Sequence, residues 1–408
     1  MKERSAYKFR IYPDEAQARL FRRTAGCCRL VYNTCLEQKT LERHRSDPRR
    51  LTAIDQHKML RELKAHAPFL KEVPHHCLLQ AVIDLHRGFT NFFEGRAAYP
   101  KPRRKYRDES FRHPDAKQIM FRGGEIFLPK ARWVKIVAHR EIVGTVKNVT
   151  VSVSGDHWYA SIQIEREIQE PAIRETVELG GDIGVVNALA MSDGTVYDLP
   201  RISEREQKKL ATIQQEIARR KKGSKNRMRS LRKLRSFHAK IARRRKDAKH
   251  KMTTAVVRSC DVVYLEDFKT KNLTASAKGT VEEPGTNVAQ KSGLNRSILD
   301  VAPGETRVQI EYKMHRSGGG VYFVNPAYTS QRCSECGHVE GGNRATRDDF
   351  LCLSCGHTAC ADHNAALNIL HLGRKVRTGG LPGVACQANP AVDRQQEEDG
   401  SKHVAKAA

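Results

Sequence analysis

Two Cys-x-x-Cys pairs, Cys333/Cys336 and Cys352/Cys355, stand fifteen residues apart. Thiolate pairs at this spacing form the two knuckles of a zinc ribbon, with four sulfurs closing a tetrahedron around one Zn2+. Gly337 and Gly356 follow the pairs and supply the permissive backbone that a knuckle turn needs. Four thiolates leave no open position on the metal, so the ion expected here is structural. His338 and His357 are read as groups beside the ligands or at the surface. The other seven of the eleven cysteines show no framework spacing, and no apolar core follows Met-Lys-Glu-Arg-Ser. The expectation is therefore a reducing cytoplasm without disulfides.

Seven residues after Cys355 the chain runs into Asp362-His363-Asn364, at the head of an apolar helical pattern. A structural zinc site needs no carboxylate beside it, so Asp362 points to a second site. Two further acids stand in comparable settings: Asp182 in Gly-Gly-Asp-Ile-Gly, and Glu266 at the end of DVVYLED. An acid inside a strand costs burial energy unless it is paired or binds a cation. Gly181 and Gly184, flanking Asp182, are expected to let substrate or metal approach closely. Singly, each acid has a plain explanation as a turn, a strand end or a helix cap. Together, three carboxylates from distant segments can hold two Mg2+ ions about 4 Å apart, for phosphodiester cleavage. Their order along the chain is that of RNase H-like nucleases. Asp267 competes with Glu266. Strand alternation puts the two on opposite faces, and Val263 and Leu265 do not decide between them.

Residues 6–12 alternate as a strand, and Asp14 can cap a helix from Glu15. Helical spacing then dominates to about residue 98. Residues 117–168 change to β period. Val149, Val151 and Val153 alternate, Gly155-Asp156 turns, and Trp158, Ala160, Ile162 and Ile164 return. A small antiparallel barrel or sheet is expected, which the first strand joins. Residues 178–199 read as strands, and a helical stretch over 204–258 is split into a hairpin at Gly223-Ser224. Residues 270–294 read as a mobile polar loop, followed by a helix from about Asn295. Beyond residue 373 the composition predicts a disordered tail.

The formal charge of +27 is relieved when a polyanion binds. No apolar run is long enough to span a bilayer, so nucleic acid, with no membrane, is the expected partner. Lys101, Arg103, Arg104, Lys105 and Arg107 interleave with Tyr99, Tyr106 and Phe111, cations for phosphates and rings for bases. In the hairpin, Arg229, Arg232, Arg235 and Arg243 belong to a run with few acids, while Leu231, Leu234, Phe237 and Ile241 keep one face apolar.

The blocks YKFRIYPDEAQARLFRRTAG, GGDIGVVNALAMSDG, YLEDF, GLNRSILD, PAYTSQRCSECG and CGHTACADHNAALNI, in that order, resemble the TnpB family. These are IS200/IS605-type transposon-encoded proteins, ancestral to type V CRISPR effectors. The resemblance spans residues 6–371. It implies an RNA-guided DNA endonuclease. A guide RNA made from the transposon end would pair with double-stranded target DNA beside a short transposon-adjacent motif, and a RuvC-like domain would cut with Mg2+. The implied architecture is α/β and multidomain. It comprises an antiparallel β-barrel wedge domain (1–14 and 107–171) and an inserted helical recognition domain (15–106). An RNase H-like (RuvC) nuclease domain (172–325 and 359–372) carries the basic hairpin 204–258 and an inserted zinc ribbon (326–358), and a tail (373–408) follows.

Asp182, Glu266 and Asp362 match the family's catalytic acids, which favours Glu266 over Asp267. Arg344, with Arg347 nearby, sits where relatives carry an arginine suited to a transition-state phosphate. Asn364 is expected to order the turn around Asp362. Relatives often carry Gly-Trp after GLNRSILD; here DVAPGE stands instead, and Pro303 is expected to bend that helix. Three rival classes remain: a DNA transposase needing no RNA, a catalytically silent RNA-guided repressor, and a free-standing RNase H or resolvase. The last would need neither the helical insertion nor the basic hairpin.

Overall fold

The computed structural model describes residues 2–47, 49–169, 171–280 and 282–379, and the backbone of Val384–Ala385. The chain divides into two compact units, Met1–Gln169 with Glu216–Ala239, and Glu170–Gln215 with Lys240–Ala408.

The first unit holds strands β1 (Lys2–Tyr12), β2 (Ser110–His113), β3 (Met120–Arg122), β4 (Glu125–Leu128), β5 (Arg132–Val137), β6 (Thr145–Ser154) and β7 (His157–Glu167). They form one antiparallel sheet in the order β2-β6-β7-β1-β5-β4-β3. The valine alternation sets its register: Val149 lies opposite Ile162, Val151 opposite Ala160 and Val153 opposite Trp158. Strand β1 pairs with both β7 and β5. The edges are β2 and β3, so of the barrel or sheet expected the chain forms an open sheet, and the β-barrel of the implied wedge domain is not closed.

Helices α1 (Glu15–Arg43), α2 (Ala53–His66) and α3 (His75–Phe93) pack on this sheet through a shared core. Asp14 starts α1: its carboxylate accepts from the Gln17 backbone N–H at 2.7 Å, and the Gln17 side chain accepts from Asp14 N–H at 3.0 Å, a capping box. Phe21 of α1 meets the rings of Phe111 and Trp158 at 5.6 and 5.3 Å. Within the basic stretch, Arg103 is already engaged by the protein, lying over the Tyr32 ring at 4.1 Å and 3.6 Å from Asp84. Lys101, Arg104, Lys105 and Arg107 are exposed, as are Arg229, Arg232, Arg235 and Arg243.

The second unit is built on strands β8 (Glu178–Asp182), β9 (Leu189–Met191), β10 (Val196–Tyr197), β11 (Val262–Glu266) and β12 (Gly320–Val324). Two strands, β13 (Asp349–Leu351) and β14 (Thr358–Cys360), form a separate hairpin, and β15 (Val384–Ala385) returns to the main sheet. The main sheet has the order β10-β9-β8-β11-β12-β15. Strands β8, β11 and β12 run parallel, while β9 and β15 are antiparallel to their neighbours.

Parallel neighbours need long crossovers. The first is the hairpin α4 (Glu204–Arg219) and α5 (Lys225–Ser259), turning at Gly223 with φ 84°. The second contains a single turn, α6 (Thr270–Leu273), then α7 (Val288–Val301) and α8 (Pro303–Ser317). One sheet face buries Leu179, Val263, Leu265 and Phe323 against Val256, Ile310 and Met314. Helix α9 (Ala361–Arg377) covers the other, setting Ile369 and Leu370 on Tyr264 and Val324.

Three expectations change. Helix α7 begins at Val288, seven residues before the expected Asn295, so residues 288–294 of the stretch read as a loop are helical. Pro303 ends one helix and starts the next, with Ala302 at φ 49° between them. Proline suits a first helical position because its missing N–H would be unbonded there anyway. Helix α9 continues past residue 373 because Arg374 and Arg377 reach the Glu178 carboxylate at 2.7 and 2.6 Å. Of the tail, β15 pairs with β12, and residues 380–383 and 386–408 lie outside the described residues. Among the described residues no helix is long and apolar enough to cross a membrane.

Candidate functional site

The register of two parallel strands sets the site. Val262 pairs with Glu178, Tyr264 with Gly180 and Leu265 with Gly181. The same offset, one residue further, puts Asp182 beside Glu266 at the strand ends. In-register residues on parallel neighbours share a face, so both carboxylates lie on the side covered by α9, whose first turn carries Asp362. Glycines let α9 come down. A Cβ on Gly180 would stand 2.2 Å from the Ala366 carbonyl oxygen, and one on Gly373 would stand 2.1 Å from the Tyr264 ring.

The glycines flanking Asp182 have packing roles instead. A Cβ on Gly181 would meet Leu189 and Leu265 at 3.1 Å, and one on Gly184 would meet the Asn187 carbonyl oxygen at 2.7 Å. Core packing and a tight turn thus account for them, correcting the expectation that they clear a path for substrate or metal.

Burial pushes the Asp182 carboxyl up to about 7, the negative charges of Glu266 and Asp362 add to the rise, and Arg344 opposes it. Burial also raises Glu266, against the pull of a hydrogen bond from Thr329. Asp362 Oδ2 accepts from Asn187 Nδ2 at 2.9 Å. Arg344 lies 4.0 Å from Asp362 Oδ1 and donates to the Arg347 carbonyl at 2.9 Å. Asp267 faces away and pairs with Arg307.

The four cysteine sulfurs all lie within 4.8 Å of one another, and among the described residues the three acids do not make so tight a group. Cys333 faces Cys355 at 3.7 Å, and Cys336 faces Cys352 at 3.6 Å. The knuckles repeat one hydrogen-bond pattern. Cys333 N–H donates to the His338 carbonyl at 2.9 Å, and Cys352 N–H to the His357 carbonyl at 2.8 Å. Gly337 and Gly356 take φ of 76° and 73°. The backbone N–H of Cys355, 3.4 Å from Cys352 Sγ, draws that thiol down toward the thiolate a metal requires. This donor set fits Zn2+.

Asn364 does not order the turn around Asp362. Its amide accepts from Ser334 N–H at 2.9 Å and donates to the Arg332 carbonyl at 2.8 Å, holding the first knuckle to α9. Sequence reasoning missed Asn368, Thr329 and the side-chain role of Asn187. The available signal was Asn364 and Asn368, two amides at i and i+4 in an apolar helix, which must find partners when buried.

Residues 161–277 match a family model described as "Probable transposase", of the IS605 OrfB type, and residues 304–369 match the Cas12f1-like TNB domain. Residues 1–46 match a model described as a helix-turn-helix domain, although here they contain β1 and the single helix α1. The chain is 41% identical over 382 residues to the "Putative RNA-guided DNA endonuclease InsQ" of Escherichia coli (strain K12), covering 93% of this chain and 95% of that protein. It is 31% identical over 406 residues to a protein of Streptomyces pristinaespiralis carrying the same name without InsQ, covering 98% and 95%. A cryo-EM structure of a Cas12f1–sgRNA–target DNA complex shares the fold, with TM-score 0.50 and 13% identity over 87% of this chain and 83% of that one. With identity this high across nearly the full length of both proteins, the chain belongs to the TnpB family of IS605-type transposon-encoded proteins.

Proposed function

We propose that this chain is an RNA-guided DNA endonuclease in which Asp182, Glu266 and Asp362 hold a pair of Mg2+ ions over the scissile phosphate. The observation that carries the reading is the mutual electrostatic burden of these acids, with Asp182 raised by burial and by both of the others. Carboxylates held against their own repulsion gain stability when cations enter. When bound, the cations would supply activated water and stabilise the leaving oxygen. The chain's own part is to orient ligands: Asn187 holds Asp362, Thr329 holds Glu266, and the sheet register sets Asp182 beside Glu266. Arg344 stands near Asp362 with its guanidinium tethered to the Arg347 carbonyl, placed to meet phosphate charge.

We read the second unit as the RuvC-like part with its ribbon, which Zn2+ holds in shape, and the first as the wedge and helical recognition parts. The exposed arginines and lysines provide for guide RNA and target DNA. The guide is read as a transcript of the transposon end, and target choice as requiring an adjacent motif. The test is to sequence RNA that co-purifies with the protein, then reprogramme it against matched and mismatched plasmids, with Asp182→Ala as control. A discrete transcript and guide-dependent cutting support the reading. Cutting without RNA favours the transposase reading, and guided binding with cleavage by neither wild type nor variant favours a silent repressor.

A further inference from the structure

We infer that Thr329 is a positioning residue for Glu266, and that through it the zinc ribbon reaches the active site. The inference rests on the reading of Glu266 as a metal ligand. Thr329 is buried at 3% exposure, and its hydroxyl donates to Glu266 Oε1 at 2.5 Å. The residue is fixed from behind. Its carbonyl accepts from Asn368 Nδ2 at 3.0 Å. The same amide group reaches the Arg332 carbonyl at 2.6 Å, which Asn364 also meets. Arg332 directly precedes the knuckle residue Cys333. The segment from Thr329 to Ser334 is thereby tied to α9 at one side and to the four-sulfur cluster at the other.

The consequence for Glu266 follows from donor counting. A threonine hydroxyl has one proton. The Pro326 carbonyl, at 3.0 Å, competes for it, and the shorter distance favours Glu266. With Oε1 held, Glu266 loses side-chain freedom before any cation arrives, so binding costs less ordering entropy. Groups that orient a metal ligand from behind typically change affinity by about 10- to 100-fold when removed. The plain alternative is that Thr329 only closes a local turn onto Pro326. That role would affect folding and leave cation affinity alone.

The test uses the full chain with its co-purified RNA, as wild type, Thr329→Ser, Thr329→Ala and Thr329→Val. Three quantities are measured: zinc content with melting temperature, Mn2+ affinity by electron paramagnetic resonance, and cleavage rate against Mg2+ concentration. Serine should match wild type. Alanine and valine should keep zinc, bind Mn2+ about tenfold or more weakly, and need correspondingly more Mg2+ for half-maximal cleavage. Ala and Val curves that overlay serine would overturn the inference. So would loss of zinc and fold in the alanine variant, which assigns Thr329 a structural role only. Asp182→Ala separates the premises: cleavage by that variant sinks the metal-ligand reading of the acids, whatever Thr329 does.

Discussion

Asp267 and Arg307 close an ion pair at 2.5 Å, and the same guanidinium rests 3.6 Å from the Phe323 ring centroid. Phe323 belongs to the core on the face opposite α9. The adjacent acids Glu266 and Asp267 therefore serve opposite sides of one sheet. Asp267→Asn should lower stability by about 1 kcal/mol, since the pair is partly exposed, and leave single-turnover cleavage within about threefold. Glu266→Gln should cut cleavage by about 100-fold or more without lowering the melting temperature. Equal cleavage losses in the two variants would refute this division.

The acid cluster makes stability depend on pH in a defined direction. The folded Asp182 carboxyl sits near 7, against an ordinary 3.8. Between those values the folded, Mg2+-free protein holds a proton that the unfolded chain releases. Stability from this group is fully present below pH 4 and is lost as pH rises through 7, by up to about 1.4 kcal/mol per pH unit. Asp182→Asn should flatten that slope in urea unfolding at pH 5 and 7.5. Cleavage should run the other way, falling as pH drops below 7, with the acid limb shifting lower as Mg2+ rises.

Gly180 is where α9 touches the sheet. An alanine there would drive Cβ into the Ala366 carbonyl, a backbone atom that cannot swing aside. Gly180→Ala should cost about 3 kcal/mol or more. Gly194→Ala, with φ 85° but open space around it, should cost only about 1 kcal/mol. Chemical denaturation of the two variants decides whether the tight seat or glycine content in general matters.

Cys352→Ser should abolish the single Zn2+ expected by elemental analysis and lower the melting temperature. Because Asn364 and Asn368 bind the segment before Cys333, the loss should also weaken cleavage, although a zinc closed by four thiolates takes no part in the phosphate chemistry. Unchanged cleavage with zinc gone would uncouple the ribbon from the acids.

Local rules made part of this legible. Cysteine spacing announces its knuckles because each turn spans a few residues, and Asp14 announces α1 because a cap acts within one turn. The choice of Glu266 over Asp267 was closed to residue-level reading, since it depends on an 84-residue offset between β8 and β11. Asn364 was misjudged for the same reason: its partners Arg332 and Ser334 lie thirty or more residues away. The start of α7 was missed because Asn287, in a left-handed conformation, gives it no side-chain cap.

Helix α9 is pinned at both extremities, by Arg374 and Arg377 on Glu178 and by Gly373 on Tyr264 at one end, with Asp362 at the other. Each inserted or deleted residue between them would turn the helix about 100° and slide it about 1.5 Å. The interval from Asp362 to Gly373 thus works as a molecular ruler: a change in its length swings the acid out of reach of the strand ends.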